Sequence, residues 1–214
     1  VQLAWARELI ARLDLAGHET AMDVGCGNGA IASELARVLP KGFVLGVDSS
    51  GTFIEYARQH YRSDVYPNLA FEQMDARNLV SDRRFDVIFS NAALHWVDDH
   101  PAFLAGAAQL LKPRGTLIIS CGGSGNAAGI VTAMEEITHQ KQWADYFSEF
   151  TFPYHFHSTT EYLAWLAAAG LRAQRLELVE KDMTHPGHKG LAGWLRTTWI
   201  PYTHCVPVQL RDRF

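Results

Sequence analysis

Three glycines at alternate positions stand directly behind a carboxylate in Asp23-Val24-Gly25-Cys26-Gly27-Asn28-Gly29. Gly25, Gly27 and Gly29 free the backbone to take positive φ and remove the Cβ atoms that would hold a ligand off it. A helix beginning beside Gly29 turns its N-terminal amides toward the same crevice. The spacing also satisfies GxGxxA, with Ala30 last, so a nicotinamide dinucleotide is an alternative ligand. Asp48 follows 19 residues after Gly29, where a carboxylate can accept hydrogen bonds from two ribose hydroxyls of either kind of nucleotide. Asp75, followed by the small Ala76, suits the exocyclic amine of an adenine, a place where dinucleotide enzymes do not routinely put an acid. A single aspartate after a strand is commonly a turn former or helix cap. Three of them behind successive strands, the first with a glycine loop, point to a nucleotide-like cofactor. Further along, His95 can orient an acceptor or take its proton, and the Trp96 ring face can attract a cation. Each also has a structural reading, His95 as a satisfied histidine after a strand and Trp96 as a pocket wall.

A frame that gathers strand ends is needed to bring these residues together. Thr20–Val24, Phe43–Val47, Leu69–Met74, Phe85–Ser90 and Thr116–Ser120 are short, nearly continuous apolar runs, as expected of strands buried on both faces of a parallel sheet. Between them lie helical faces: Ile31, Leu35 and Leu39; Phe53, Ile54, Ala57 and Tyr61; and a helix from about Pro101 to Leu111. Trp5, Leu9, Ile10 and Leu13 predict a first helix closing near Gly17. Right-handed crossovers make this a doubly wound α/β sandwich, whose ligands sit outside the carboxyl ends of the strands.

The 214 residues carry a formal charge of −4, with 19 Lys and Arg against 23 Asp and Glu, so no basic footprint argues for a nucleic-acid partner. No run approaches the 18 apolar residues of a membrane span, and no signal segment opens the chain, which reads as soluble and cytoplasmic. Three scattered cysteines, Cys26, Cys121 and Cys205, form neither a zinc pattern nor a disulfide framework and read as reduced. Nothing calls for a metal. His155 and His157 read as surface or lid residues rather than metal ligands.

With those residues in view the chain resembles the class I S-adenosylmethionine-dependent methyltransferases. The resemblance rests on the glycine loop, Gly46-Val-Asp48-Ser-Ser, Met74-Asp75-Ala76, Phe85-Asp-Val-Ile-Phe-Ser-Asn91 and Leu111-Lys-Pro-Arg-Gly-Thr-Leu-Ile-Ile119, in the family's order across roughly residues 20–120. It implies that Asp23, Gly25, Cys26 and Gly27 lie along the methionine part of S-adenosylmethionine, and that Asp48 with Ser49 holds the ribose. Asp75 and Ala76 would hold the adenine, with Phe53 either over its ring or packed in the core. Asn91 and Ala92 would complete the cofactor contacts. Ser90-Asn91-Ala92-Ala93-Leu94-His95-Trp96-Val97 and the N-terminal Gln2-Leu-Ala-Trp5 are closer still to the trans-aconitate, juvenile-hormone-acid and malonyl-carrier-protein methyltransferase subgroup. The implied reaction is O-methylation of a carboxylate on a small-molecule acid, which needs no general base. A phenol, hydroxyl or carbon acceptor with His95 as base is the alternative. A nicotinamide-dependent oxidoreductase or a non-catalytic cofactor-binding protein stands as the reading from another class. His95 and Trp96 are the candidate catalytic residues.

After Ser120 the texture changes, and residues 122–214 read as a substrate cover and sheet edge on a core of residues 1–121, within one domain. Helices are expected to about Trp143 and over Thr160–Ala169, and a strand over Ala173–Val179. The family usually closes its sheet with a two-stranded hairpin, but no strand-like run follows Tyr202. Gln2 and Trp5 stand by resemblance in a lid over the cofactor, although Trp5 also fits ordinary helix packing. Trp194–Tyr202 is a candidate acceptor pocket, in which Arg196, flanked by Trp199 and Tyr202, would pair with an acceptor carboxylate or else lie on the surface.

Overall fold

The computed structural model describes residues 2–214, apart from the side chain of Gln2. The elements run α1 (Gln2–Ile10), β1 (Thr20–Val24), α2 (Ala30–Val38), β2 (Phe43–Asp48), α3 (Gly51–His60), β3 (Leu69–Gln73), β4 (Phe85–Asn91), α4 (His100–Leu110) and β5 (Leu111–Ser120). Then follow α5 (Ala128–Thr138), α6 (Thr159–Ala168), α7 (Gly187–Thr198) and α8 (Ile200–Cys205). The five strands form one sheet in the order β3-β2-β1-β4-β5, and every pairing in it is parallel. Strand order reverses between β1 and β4, so a crevice opens at the carboxyl ends of those two strands.

Successive residues of a strand face opposite sides, and both sides here are apolar. On β1, Ala21 joins Leu35, Ile54, Phe71 and Phe89 on one face. Its neighbours Met22 and Val24 join Leu45, Ile88, Phe103 and Leu104 on the other. Two separate cores therefore clamp the sheet, and the strand ends that carry the acids are rigidly placed between them. The expected first helix is shorter than its periodicity: α1 ends at Ile10, and turn bonds from Ala11 N to Arg7 O, Arg12 N to Leu9 O and Leu13 N to Ile10 O carry the chain a little further.

Contacts divide the chain into two compact units, Val1–Ser124 with Tyr154–Glu177, and Gly125–Pro153 with Leu178–Phe214. The first holds the sheet, α1–α4 and α6. The second is helical, built on α5, α7 and α8 around aromatic pairs such as Phe150 with Tyr202 at 4.5 Å and Trp143 with Phe214 at 5.3 Å. The strand expected over Ala173–Val179 does not form, and those residues are irregular. Their alternating apolar side chains suit an edge strand only when a neighbour supplies the ladder, and Leu178 and Val179 are instead exposed. The helix expected as far as Trp143 stops at Thr138, with a 3-10 turn at Ala144–Phe147. Among the described residues no helix is long and apolar enough to cross a membrane.

Candidate functional site

The glycine loop is stitched to the strand beside it. Gly25 N and Cys26 N both donate to Val47 O, at 2.8 and 3.0 Å. A Cβ on Gly25 would stand 2.1 Å from the Ala93 Cβ, and its φ of +74° excludes other residues without strain. Gly27 (φ +52°) differs: no atom lies within 4 Å of where its Cβ would be, so its open side is the approach left for a ligand. Asp48 at the end of β2 braces this loop. Its Oδ2 accepts from Gly27 N and its Oδ1 from Ser50 N, each at 2.9 Å. A carboxylate has about four lone-pair positions, so both oxygens keep capacity for hydroxyl donors. Ser49 beside it is exposed.

Two buried side chains at the crevice carry atoms without a hydrogen-bond partner among the described residues. Asp23, at 1% exposure, has no hydrogen bond to Oδ2 among the described residues. Its carboxyl is pushed up to about 7, first by burial and then by the charge of Asp48, with hydrogen bonding from the Ala32 backbone opposing. Asn91 at the end of β4 is equally enclosed, and neither its Oδ1 nor its Nδ2 has a partner among the described residues. Buried polar groups are ordinarily satisfied, and each orphan costs about 1–3 kcal/mol. Adjacent strand ends that carry such orphans beside an open glycine loop fit a ligand with both donors and acceptors. The left-handed Ala92 (φ +57°) turns the chain out of β4, its N–H donating to Ser120 O at 2.7 Å. The Cys26 thiol is buried and pushed up by that burial, Asp23 and Asp48, so it is no nucleophile.

Asp75 follows β3 and caps a 3-10 turn at Ala76–Asn78, accepting from Arg77 N at 2.9 Å. The Arg77 guanidinium also grips it, at 2.6 Å from Nη2, and reaches Asp98 at 3.1 Å. This hydrogen bonding holds the Asp75 carboxyl below its ordinary range. Arg77 was not anticipated; the only signal was an arginine two residues behind the acid. Phe53 is 50% exposed in the first turn of α3, which removes the core-packing reading for its ring.

His95 sits in a 3-10 turn, Leu94–Trp96, that follows β4. Its carbonyl accepts from His155 N at 2.8 Å, and Gly122 N approaches its Nδ1 at 3.4 Å. Burial, with His100 nearby, pushes the imidazole down to about 4. Trp96 is 48% exposed, and its ring lies 4.6 Å from Tyr154. Tyr154 and Phe156 stack with centroids 5.8 Å apart, and both flank His95, at 6.2 and 6.3 Å. These two aromatics were missed because the segment that carries them has no period; only its density of rings could have drawn attention. The His157 ring pairs with Glu161 at 3.0 Å. No group of three or more His, Cys, Asp or Glu among the described residues could hold a metal ion.

The side chain of Gln2 lies outside the described residues, and Trp5 is half-buried on α1. Arg196, Trp199 and Tyr202 all belong to the second unit. Arg196 pairs there with Asp212 at 3.0 Å, while Trp199 and Tyr202 are buried 5.7 Å apart.

A model of the methyltransferase domain family matches residues 15–170. The chain is 27% identical over 209 residues to an uncharacterized methyltransferase of Schizosaccharomyces pombe, covering 94% of this chain and 76% of that protein. It is 29% identical over 221 residues to the trans-aconitate 2-methyltransferase of Methylobacterium nodulans, covering 98% and 79%. Among solved structures, the YcgJ protein of Bacillus subtilis superposes with a TM-score of 0.62 at 18% identity, over 98% of this chain and 87% of that one, a likeness of fold.

Proposed function

The chain belongs to the methyltransferase domain family and is an S-adenosylmethionine-dependent methyltransferase, and we propose that it esterifies a carboxylate of a small organic acid. The observation that carries this reading is the state of His95. Held down to about 4 and without a carboxylate partner among the described residues, it is a poor base for a phenol or alcohol. A carboxylic acid, ionised near neutral pH, needs none. The name of the Methylobacterium relative, whose acceptor carries carboxylates, supports the same class.

In this account Asp48 accepts from the ribose hydroxyls with Ser49 at its side, while Asp75 and Ala76 hold the adenine under the exposed Phe53 ring. The orphaned atoms of Asp23 and Asn91 find their partners on the methionine part, along the backbone of Gly25, Cys26 and Gly27 and beside Ala92. The cofactor supplies a methyl group already activated on a sulfonium. The protein's task is then to align the acceptor and exclude water. With Gly122 N–H directed at Nδ1, the neutral His95 ring keeps its proton on Nε2 and offers that N–H as a hydrogen-bond donor to an acceptor oxygen. Trp96 walls the pocket and turns its face to positive charge. By the resemblance Trp5 on α1 is a lid residue, and Arg196, Trp199 and Tyr202 of the second unit are acceptor-selecting residues.

A screen reading S-adenosylhomocysteine release across fatty, dicarboxylic and isoprenoid acids, set against phenols, tests the acceptor class. Turnover of at least one acid with the phenols inert is expected. Turnover of phenols alone would overturn the proposal.

A further inference from the structure

Behind the His95 turn lies a second, fully enclosed histidine that the account above leaves unused. His100, the first residue of α4, is 0% exposed. Its Nε2 lies 2.8 Å from the Leu94 carbonyl, which can only accept, so the ring proton is on Nε2. Its Nδ1 is therefore an acceptor, and the Tyr162 hydroxyl on α6 donates to it at 2.6 Å. Both partners together allow one tautomer and one ring orientation.

Leu94 immediately precedes His95. Its carbonyl receives the His100 bond and one from Val97 N at 2.9 Å, while the next carbonyl, that of His95, receives His155 N. A 3-10 turn of three residues has poor internal hydrogen bonding and takes its geometry from such outside ties. Among the described residues the His95 ring has one hydrogen bond, the long 3.4 Å approach of Gly122 N; between the flanking Tyr154 and Phe156 rings, its direction follows from the peptide planes on either side of it. We propose that His100, locked between Tyr162 and the Leu94 carbonyl, is a positioning residue that aims the His95 ring at the acceptor. This rests on the acceptor role of His95 proposed above.

The test compares His100→Leu, which fills the volume without a donor, with His100→Gln, which keeps an N–H for the Leu94 carbonyl. The imidazole nitrogen and proton resonances of His95 in the cofactor-free protein are followed alongside kcat for an acid acceptor. In His100→Leu the His95 resonances shift and kcat falls severalfold, by no more than about tenfold, with S-adenosylhomocysteine affinity within about twofold of the parent. His100→Gln restores most of both. Should His100→Leu fail to fold, Tyr162→Phe removes the Nδ1 anchor alone while the Leu94 carbonyl still holds the Nε2 proton, and a smaller shift of the His95 resonances in the same direction is expected. Unmoved His95 resonances in a folded variant overturn the positioning role. Resonances that move while kcat holds overturn the acceptor role of His95 instead.

Discussion

Replacing Asp23 by Asn isolates what it costs to keep a carboxylate at the end of β1 with one oxygen unpartnered. Burial and Asp48 lift its pKa from 3.8 to about 7, which at 1.36 kcal/mol per unit opposes the ionised form by about 4 kcal/mol. The sign follows from proton counting. Below about 4 the carboxyl is protonated in both folded and unfolded chains and contributes nothing. Between about 4 and 7 the unfolded chain ionises first, so stability falls as pH rises, and above about 7 the full penalty is in place. His95 and His100, pushed down to about 4, work in the opposite direction as pH rises from there toward the ordinary histidine value. The difference between parent and variant removes their shared contribution. Urea unfolding of the cofactor-free proteins from pH 5 to 8 should therefore show Asp23→Asn gaining on the parent up to about pH 7 and levelling beyond. The gain is capped at about 4 kcal/mol and reduced by whatever the Ala32 backbone bond loses. By the same linkage, S-adenosylhomocysteine should bind the parent more tightly as pH rises toward 7, and bind Asp23→Asn at least about tenfold more weakly. Stability curves for the two proteins that run parallel across this range would refute the reasoning.

Asp48→Ala leaves Gly27 N and Ser50 N without acceptors, so calorimetry should find S-adenosylhomocysteine affinity reduced about tenfold or more, and urea melts a loss of about 1–3 kcal/mol. Unchanged affinity would remove Asp48 from the ribose site. Gly25→Ala and Gly27→Ala make a graded pair: both incur the left-handed cost of about 1–2 kcal/mol, but only Gly25→Ala also drives a Cβ into Ala93 and should melt markedly lower. Equal melting of the two would contradict the close approach. With an acid acceptor, kcat should be flat between pH 6 and 8 and fall less than about tenfold in His95→Gln, whereas a general base would cost about a hundredfold or more.

How much of this could be read from residue order differs by element. β1, β2 and β4 were legible because each is a short apolar run stopping at a residue that can do chemistry, and burial on both faces leaves little else for such runs to be. The acids were visible, but their surroundings were not. Nothing in the order of residues says that Asp48 ties Gly27 to Ser50, that Asn91 is left without partners, or that Arg77 closes on Asp75. The first two follow from segments far apart in sequence meeting at one edge, whereas the third is a local contact within one 3-10 turn. Tyr154 and Phe156 reach His95 through an irregular segment held by the bond from His155 N, a tertiary event with no period to detect. Ala173–Val179 misled for a related reason: alternation marks a strand only where another strand pairs with it. In α7, Leu191, Trp194 and Leu195 had helical spacing, masked by Gly187, Gly190 and Gly193, which weigh against a helix.

The central claim is the nature of the bond formed. With S-adenosylmethionine labelled in its methyl group and an acid that turns over in the acceptor screen, the label should be recovered as a methyl ester. That product releases methanol in mild alkali and regenerates the acid. A labelled product that survives alkali, as an ether, amine or carbon-bound methyl group would, contradicts the account.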